Sequence, residues 1–102
     1  MNQKFPFGAT VTTERIANCM ECDPMFATFV FESITRHGSG DWGDMDDEDK
    51  RMNDWALESG KSRIFSAYNI PKYLSGDLDD DKIWIITEWN RSATTVLFPS
   101  EY

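Results

Sequence analysis

The chain has few of the histidine and cysteine residues that bind zinc or form structural disulfides. Its 102 residues include one histidine and two cysteines, the pair Cys19 and Cys22. A structural zinc ion takes four ligands, and no second cysteine pair accompanies His37 to complete such a site. We therefore expect no metal and no cofactor. In a reducing, cytoplasmic environment we expect the two cysteines to remain free thiols near the end of a helix.

Long apolar runs and an excess of positive charge are also absent. No apolar run approaches the ~20 residues that cross a bilayer, and the first residues lack the apolar core of a signal peptide. Eighteen Asp and Glu residues against ten Lys and Arg residues give a net charge of −8. Nucleic acids and anionic membranes attract basic surfaces, so this charge disfavours both as direct partners.

Aromatic residues are plentiful, which argues against an acidic disordered chain. Phe, Trp and Tyr make up 14% of the sequence. Each buried aromatic side chain removes ~150–250 Å² of surface from water, so even a short chain can bury a core. Acidic disordered segments are poor in such residues. We therefore predict one folded domain over residues 1–102.

Two main helices are predicted from capping residues and apolar spacing. The first spans 24–37, because Asp23 and Pro24 favour a helix start and Gly38 can end a helix in a left-handed conformation. The second spans 46–59, with carboxylates in its first turn. Its inward positions are predicted to be Met52, Trp55, Ala56 and Ser59.

The last third of the chain has the pattern of β-strands. The predicted strands are 63–69, 82–88 and 93–98, with a possible N-terminal strand at 9–13. A hairpin over 88–92 joins the last two, and residues 71–81 form an exposed excursion. These elements predict an α+β domain: a small antiparallel sheet, built from a C-terminal three-stranded meander, with the two helices packed on one face.

A cluster of polar residues is predicted at one end of this sheet. His37 can exchange a proton near neutral pH, Glu88 can act as its counterpart, and Arg36 or Arg91 can stabilise a developing phosphorane charge. Metal-independent ribonucleases use such groups, because the ribose 2′-OH is the nucleophile. The same residues also have structural interpretations, in which Arg91 neutralises Glu88 and His37 caps helix carbonyls.

Two acidic segments, 41–49 and 77–81, form the second candidate site. They do not match a calcium-binding loop: counting from Asp44, the sixth position is Asp49 where glycine is needed, and the twelfth is Trp55 where glutamate is needed. The alternatives are a solvated face and a surface that imitates nucleic-acid phosphates. The candidate binding residues are Asp41, Trp42, Asp44, Asp46, Asp47, Glu48, Asp49, Asp77, Asp79, Asp80 and Asp81.

Two longer motifs carry a family resemblance. Residues 36–44 read RHGSGDWGD, and residues 84–102 read WIITEWNRSATTVLFPSEY. With these motifs the chain resembles a family of small, mostly uncharacterised proteins from phages, plasmids and bacterial genomes, labelled plasmid-related or restriction-associated. The resemblance implies a mobile-element setting and no defined activity. Asn90 departs from the family pattern, which has an acid there, and the excursion at 71–81 is longer than usual.

The charge of the chain favours one of two functions. The first is an inhibitor of a host nucleic-acid-handling defence enzyme, of the anti-restriction or anti-CRISPR type, whose DNA-mimicking acidic surface occupies a basic groove of that protein. The alternative is a ribonuclease or toxin similar to barnase and RelE, using His37 and Glu88. Because an RNA-cleaving enzyme needs positive surface around its site, we favour the inhibitor, which is not an enzyme. The edge strand near 10–13 or the last strand could also pair across a dimer axis.

Overall fold

The computed structural model describes residues 3–76 and 78–102. The helices are α1 (Glu14–Cys22), α2 (Pro24–Gly38) and α3 (Asp47–Ser59), and the strands are β1 (Ala9–Thr12), β2 (Ile64–Asn69), β3 (Lys82–Thr87) and β4 (Ala93–Leu97). Single 3₁₀ turns lie at Lys72–Leu74 and Pro99–Glu101. The predicted α+β class is confirmed.

Local capping groups set the helix starts. The side chains of Thr13, Asp23 and Asp46 accept hydrogen bonds from backbone N–H groups in the first turns of α1, α2 and α3. Gly60 ends α3 with a left-handed φ of 68°. Gly38 was predicted to follow α2 in a left-handed conformation, but it is the last helical residue. A Cβ at this position would press against the Phe7 ring.

The sheet has the order β1-β4-β3-β2. Strands β2, β3 and β4 form the predicted antiparallel meander. The prediction of an antiparallel sheet is wrong for β1, which pairs with β4 in parallel. A parallel pair needs a long crossover connection, and the three helices and two strands between β1 and β4 provide it. Because β4 is internal, it presents no edge to a second copy.

The main core lies between the sheet and the first two helices. Ile16 of α1 and Phe26 and Val30 of α2 pack in one cluster with buried residues of the sheet and of the segments that follow it, Tyr68, Ile70, Ile83, Ile85, Val96 and Phe98. A second cluster contains Phe5, Trp42, Ala56 and Ile64. It joins the N-terminal segment and α3 to the start of β2.

Helix α3 lies along the outer edge of β2 and turns a different face inward from the predicted one. Its buried residues are Asn53 and Ala56. Met52 and Trp55 are 60% and 53% exposed, so the predicted inward positions are wrong for both. The physical reason is a polar contact: the Asn53 amide accepts from the backbone N–H of Phe65 at 3.1 Å and donates to the Phe65 carbonyl at 2.5 Å.

The segment before α3 covers the rest of the same edge. The Ala67 N–H donates to the Trp42 carbonyl, and the Ala67 carbonyl accepts from the Asp44 N–H at 2.7 Å. The Asn69 N–H donates to the Asp44 carboxylate at 2.9 Å. Gly43 is required here, because its φ is 79° and a Cβ would overlap the Ala67 carbonyl oxygen.

Within the described residues, no helix combines the length and the apolar character needed to cross a membrane.

Candidate functional site

His37, the central residue of the ribonuclease hypothesis, lies in the interior. It sits in the last turn of α2 with 0% of its surface exposed. Its Nδ1 lies 2.6 Å from the Ser66 hydroxyl on β2, and its Nε2 lies 2.8 Å from the Thr87 hydroxyl on β3. Both ring nitrogens are therefore occupied by the sheet, and the predicted capping of helix carbonyls by His37 is not observed.

The hydrogen bonds of this buried cluster run in one direction. Thr94 donates to the Phe7 carbonyl at 2.9 Å, and its oxygen lies 2.8 Å from the Thr87 oxygen. A hydroxyl has one proton, so Thr87 must donate to Thr94 and accept from His37. The network thus assigns the proton of the neutral imidazole to Nε2, and Nδ1 accepts from Ser66.

Burial keeps the His37 ring neutral. Desolvation, with a smaller contribution from the positive charge of Arg91, lowers the pKa of His37 to about 3. The rings of Phe5, Phe7 and Trp42 lie within 5.3, 5.8 and 6.0 Å of the imidazole. A general acid or base is most effective with a pKa near the working pH and with access to substrate. This geometry provides neither.

Arg91 stabilises backbone carbonyls. Its Nη1 donates to the carbonyls of Ser62, Glu88 and Trp89 at 2.7, 3.1 and 3.2 Å, and its Nη2 donates to that of Ala56 at 3.1 Å. These bonds connect the β3–β4 turn to the end of α3. The carboxylate of Glu88 is exposed and forms no ion pair with Arg91 in the described part of the chain.

Arg36 binds the loop that follows α2. Its guanidinium donates to both carboxylate oxygens of Asp41, at 2.7 and 3.2 Å, and lies 4.8 Å from the centre of the Tyr68 ring. The hydrogen bond from Arg36 lowers the pKa of Asp41, and burial raises the pKa of Tyr68 well above its ordinary value. The four candidate catalytic residues therefore do not meet at one accessible point.

The structure separates the acidic candidates into two groups. Some are engaged within the fold: Asp41 pairs with Arg36, Asp80 pairs with Arg15 at 3.6 Å, and Trp42 is 3% exposed, with its indole N–H donating to Asp54. Asp77 lies outside the described residues. The others are exposed and form no ion pair among the described residues, although Asp44 and Asp46 accept backbone hydrogen bonds. We call them the acidic surface: Asp44, Asp46, Asp47, Glu48, Asp49, Asp79 and Asp81.

Sheet register brings one residue of each acidic segment, Asp44 and Asp81, to the same end of the β2–β3 pair. The Asp44 carboxylate accepts from the Asn69 N–H, and Asn69 pairs with Lys82 across β2 and β3. The Ile70 N–H donates to the Asp81 carbonyl at 2.8 Å. Across residues 3–76 and 78–102 the ion pairs are Arg15–Asp80 and Arg36–Asp41, neither of which neutralises the acidic surface.

Sequence reasoning missed a groove beside this surface. It lies between α3 and the start of β2 and has a volume of about 350 Å³. Met45, Met52 and Phe65 line it, together with Asp49 and Arg63. The groove was not predicted because Met52 was expected to face inward. The spacing of Asn53, Ala56 and Leu57, one position further along the helix, is the pattern that indicates the correct inward face.

No family model, curated protein or solved structure matches this chain. The described residues also contain no group of three His, Cys, Asp or Glu side chains placed to hold a metal ion.

Proposed function

We propose that this chain is a binding protein whose acidic surface occupies a basic groove of a protein that handles nucleic acids, so that it inhibits a host defence enzyme of the restriction or CRISPR type. The supporting observation is the placement of charge. Seven exposed carboxylates lie on two segments that approach each other at Asp44 and Asp81, and the ion pairs of the described residues leave all seven unneutralised.

Such a surface suits a partner that normally binds a polyanion. Duplex DNA carries about one charge per 1.7 Å of axis, and a protein that binds it has a basic groove that also attracts other dense negative charge. Long-range attraction raises the rate of association, and salt screens it. A mobile-element origin, which the motifs at 36–44 and 84–102 predict, would agree with a target in host defence.

The acidic surface is tested with an acid-to-amide triple variant, Asp46→Asn, Asp47→Asn and Asp49→Asn. Asn is as good an N-cap as Asp, so helix α3 is expected to remain intact. We expect wild-type protein, expressed in bacteria with an active restriction or CRISPR system, to raise the plating efficiency of a targeted phage. The triple variant is expected to lose most of this effect.

A matched control changes the same charge elsewhere. Glu14→Gln, Glu21→Gln and Glu32→Gln remove three exposed carboxylates from α1 and α2. This variant should inhibit as wild type does. Equal loss in both variants would show that net charge alone matters, and unchanged inhibition in the triple variant would contradict the proposed surface. Capture of the target enzyme should weaken between about 50 mM and about 500 mM salt, where the screening length falls several-fold.

A further inference from the structure

The outward face of α3 carries two large apolar side chains. Met52 and Trp55 are 60% and 53% exposed. They are three residues apart on the helix and are therefore surface neighbours. Met52 also lines the groove of about 350 Å³ described above. We call this groove, with its apolar lining of Met45, Met52 and Phe65, the α3 groove.

The surroundings of the α3 groove are negatively charged. Asp49 lines it, and α3 contains five carboxylates against two cations. The lining cation, Arg63, donates from Nη1 to the Tyr102 hydroxyl at 2.6 Å, and its guanidinium lies 5.8 Å from the centre of the Phe65 ring, so it keeps its charge and balances Asp49 within the lining. The negative charge that an occupant's cations would meet is therefore the excess of carboxylates on α3 itself.

The dimensions suit one large side chain. Sites for small ligands have volumes of about 300–1,000 Å³, and this groove is near the lower limit. Met is adaptable in shape, and Trp and Met are enriched where proteins bind one another. An apolar site beside carboxylates thus combines an anchor position with a charged rim, the usual arrangement of a protein interface.

We propose that the α3 groove docks a basic segment of the partner protein, in which one large apolar side chain is flanked by Lys or Arg. This inference rests on the proposed function, because it names the part of the partner that the acidic surface meets. The apolar side chain packs against Met45, Met52 and Phe65, and the flanking cations lie near Asp49 and the other carboxylates of α3. A second copy of this chain is disfavoured, because it would bring two carboxylate-rich helices together.

Three fluorescein-labelled peptides test the groove with the full chain. The anchored basic peptide consists of Lys and Arg around a central Leu-Trp pair. The unanchored basic peptide has Ser-Ser in place of that pair, and the anchored acidic peptide has Glu in place of Lys and Arg. Measured by fluorescence polarisation, wild type should bind the anchored basic peptide about tenfold more tightly than either of the others, because both the anchor and the charge contribute.

A double variant and a matched control locate the site. In Met52→Gln/Trp55→Gln, affinity for the anchored basic peptide should fall about tenfold, to that of the unanchored peptide, whose own binding should not change. Gln keeps helix propensity, and both positions are exposed, so the thermal unfolding midpoint should not change. Phe31→Gln removes a side chain that is 61% exposed on α2 and should leave all affinities unchanged.

Several outcomes would contradict the proposal that the α3 groove docks a basic segment. These are equal affinity for the anchored and unanchored basic peptides, equal affinity for the anchored acidic peptide, or full binding by the Met52/Trp55 variant. Dimerisation of wild type, lost in that variant by analytical ultracentrifugation, would also overturn it by showing that a second copy occupies the groove.

The two proposals can fail separately. If the acid-to-amide triple variant loses inhibition while the Met52/Trp55 variant binds all peptides as wild type does, the docking proposal is wrong and the proposed function stands. If the Met52/Trp55 variant loses affinity for the anchored basic peptide while the triple variant still inhibits fully, the proposed function is wrong and the docking proposal stands.

Discussion

His37 is structural because its hydrogen-bonding partners leave no position for a second proton. Nε2 donates to Thr87, and Nδ1 accepts from Ser66. Protonation of Nδ1 would break the bond from Ser66 and would place a charge among aromatic rings, far from water. A histidine at this position therefore links α2 to two strands through its shape and its two nitrogens.

This arrangement predicts an acid-sensitive fold. In the folded chain the pKa of His37 is lowered to about 3 by burial and by the charge of Arg91, from an ordinary value of 6.5. As the pH falls through about 6.5, the unfolded chain binds a proton that the folded chain does not. The free energy of unfolding should therefore fall, with a slope that approaches about 1.4 kcal/mol for each pH unit near pH 5. Urea unfolding between about pH 6.5 and about pH 5 measures this slope above the range where most carboxylates titrate.

Two measurements check that the slope comes from His37. His37→Gln removes the titrating group and should flatten the profile over the same pH range. In wild type, the chemical shifts of the imidazole C–H protons should stay constant as the pH is lowered to about 5. This NMR measurement uses only the wild-type protein, so it does not depend on whether the variant folds. Titration of His37 near its ordinary pKa would contradict its buried, neutral state.

At the scale of elements, the two edges of the sheet differ. The backbone N–H and carbonyl groups on the outer edge of β2 form hydrogen bonds with Asn53, Trp42 and Asp44. Strand β1 lies at the opposite edge and contains no charged residue. An uncovered polar edge can pair with another strand, so the cover over β2 prevents extension on that side. A further strand could therefore be added to the sheet only at its other edge, β1.

The cover over β2 can be tested at Asn53. Asn53→Ala leaves the N–H and carbonyl of Phe65 without their partners, which should lower the free energy of unfolding by about 1–3 kcal/mol. Met52→Ala is the control on the neighbouring, exposed position and should cost less than about 0.5 kcal/mol. Chemical denaturation measures both. Equal small losses would show that water replaces the Asn53 amide without cost.

Helix boundaries were predictable, and helix faces were less so. Caps such as Asp23 and Asp46 act through bonds to residues two or three positions away, so their effect is visible in the local sequence. The inward side of α3 depends on Phe65, which Asn53 binds across a strand edge. Hydrophobic periodicity favours Met52 and Trp55 as buried, and it contains no information about that edge.

At the scale of the whole molecule, net charge opposes folding. The chain carries −8, and much of it is concentrated on the acidic surface. Self-repulsion of this kind destabilises the compact state, and salt reduces it. The same charge that could attract a basic partner therefore reduces stability in the free protein.

We expect the thermal unfolding midpoint to rise with salt. Screening that contributes about 0.5 kcal/mol would raise the midpoint of a chain of this size by about 2–4 °C. The acid-to-amide triple variant should gain less than wild type on addition of NaCl, as measured by circular dichroism. A midpoint that falls with salt would show instead that the ion pairs Arg15–Asp80 and Arg36–Asp41 outweigh the repulsion.

The sequence by itself determined the α+β class, the capped ends of α2 and α3, the antiparallel meander and the two acidic segments, because each depends on neighbouring residues or on composition. Only the tertiary structure decided the parallel pairing of β1, the burial of His37 and the exposure of Met52 and Trp55. These depend on which distant backbone groups need hydrogen-bonding partners, and contacts between distant segments leave no local pattern.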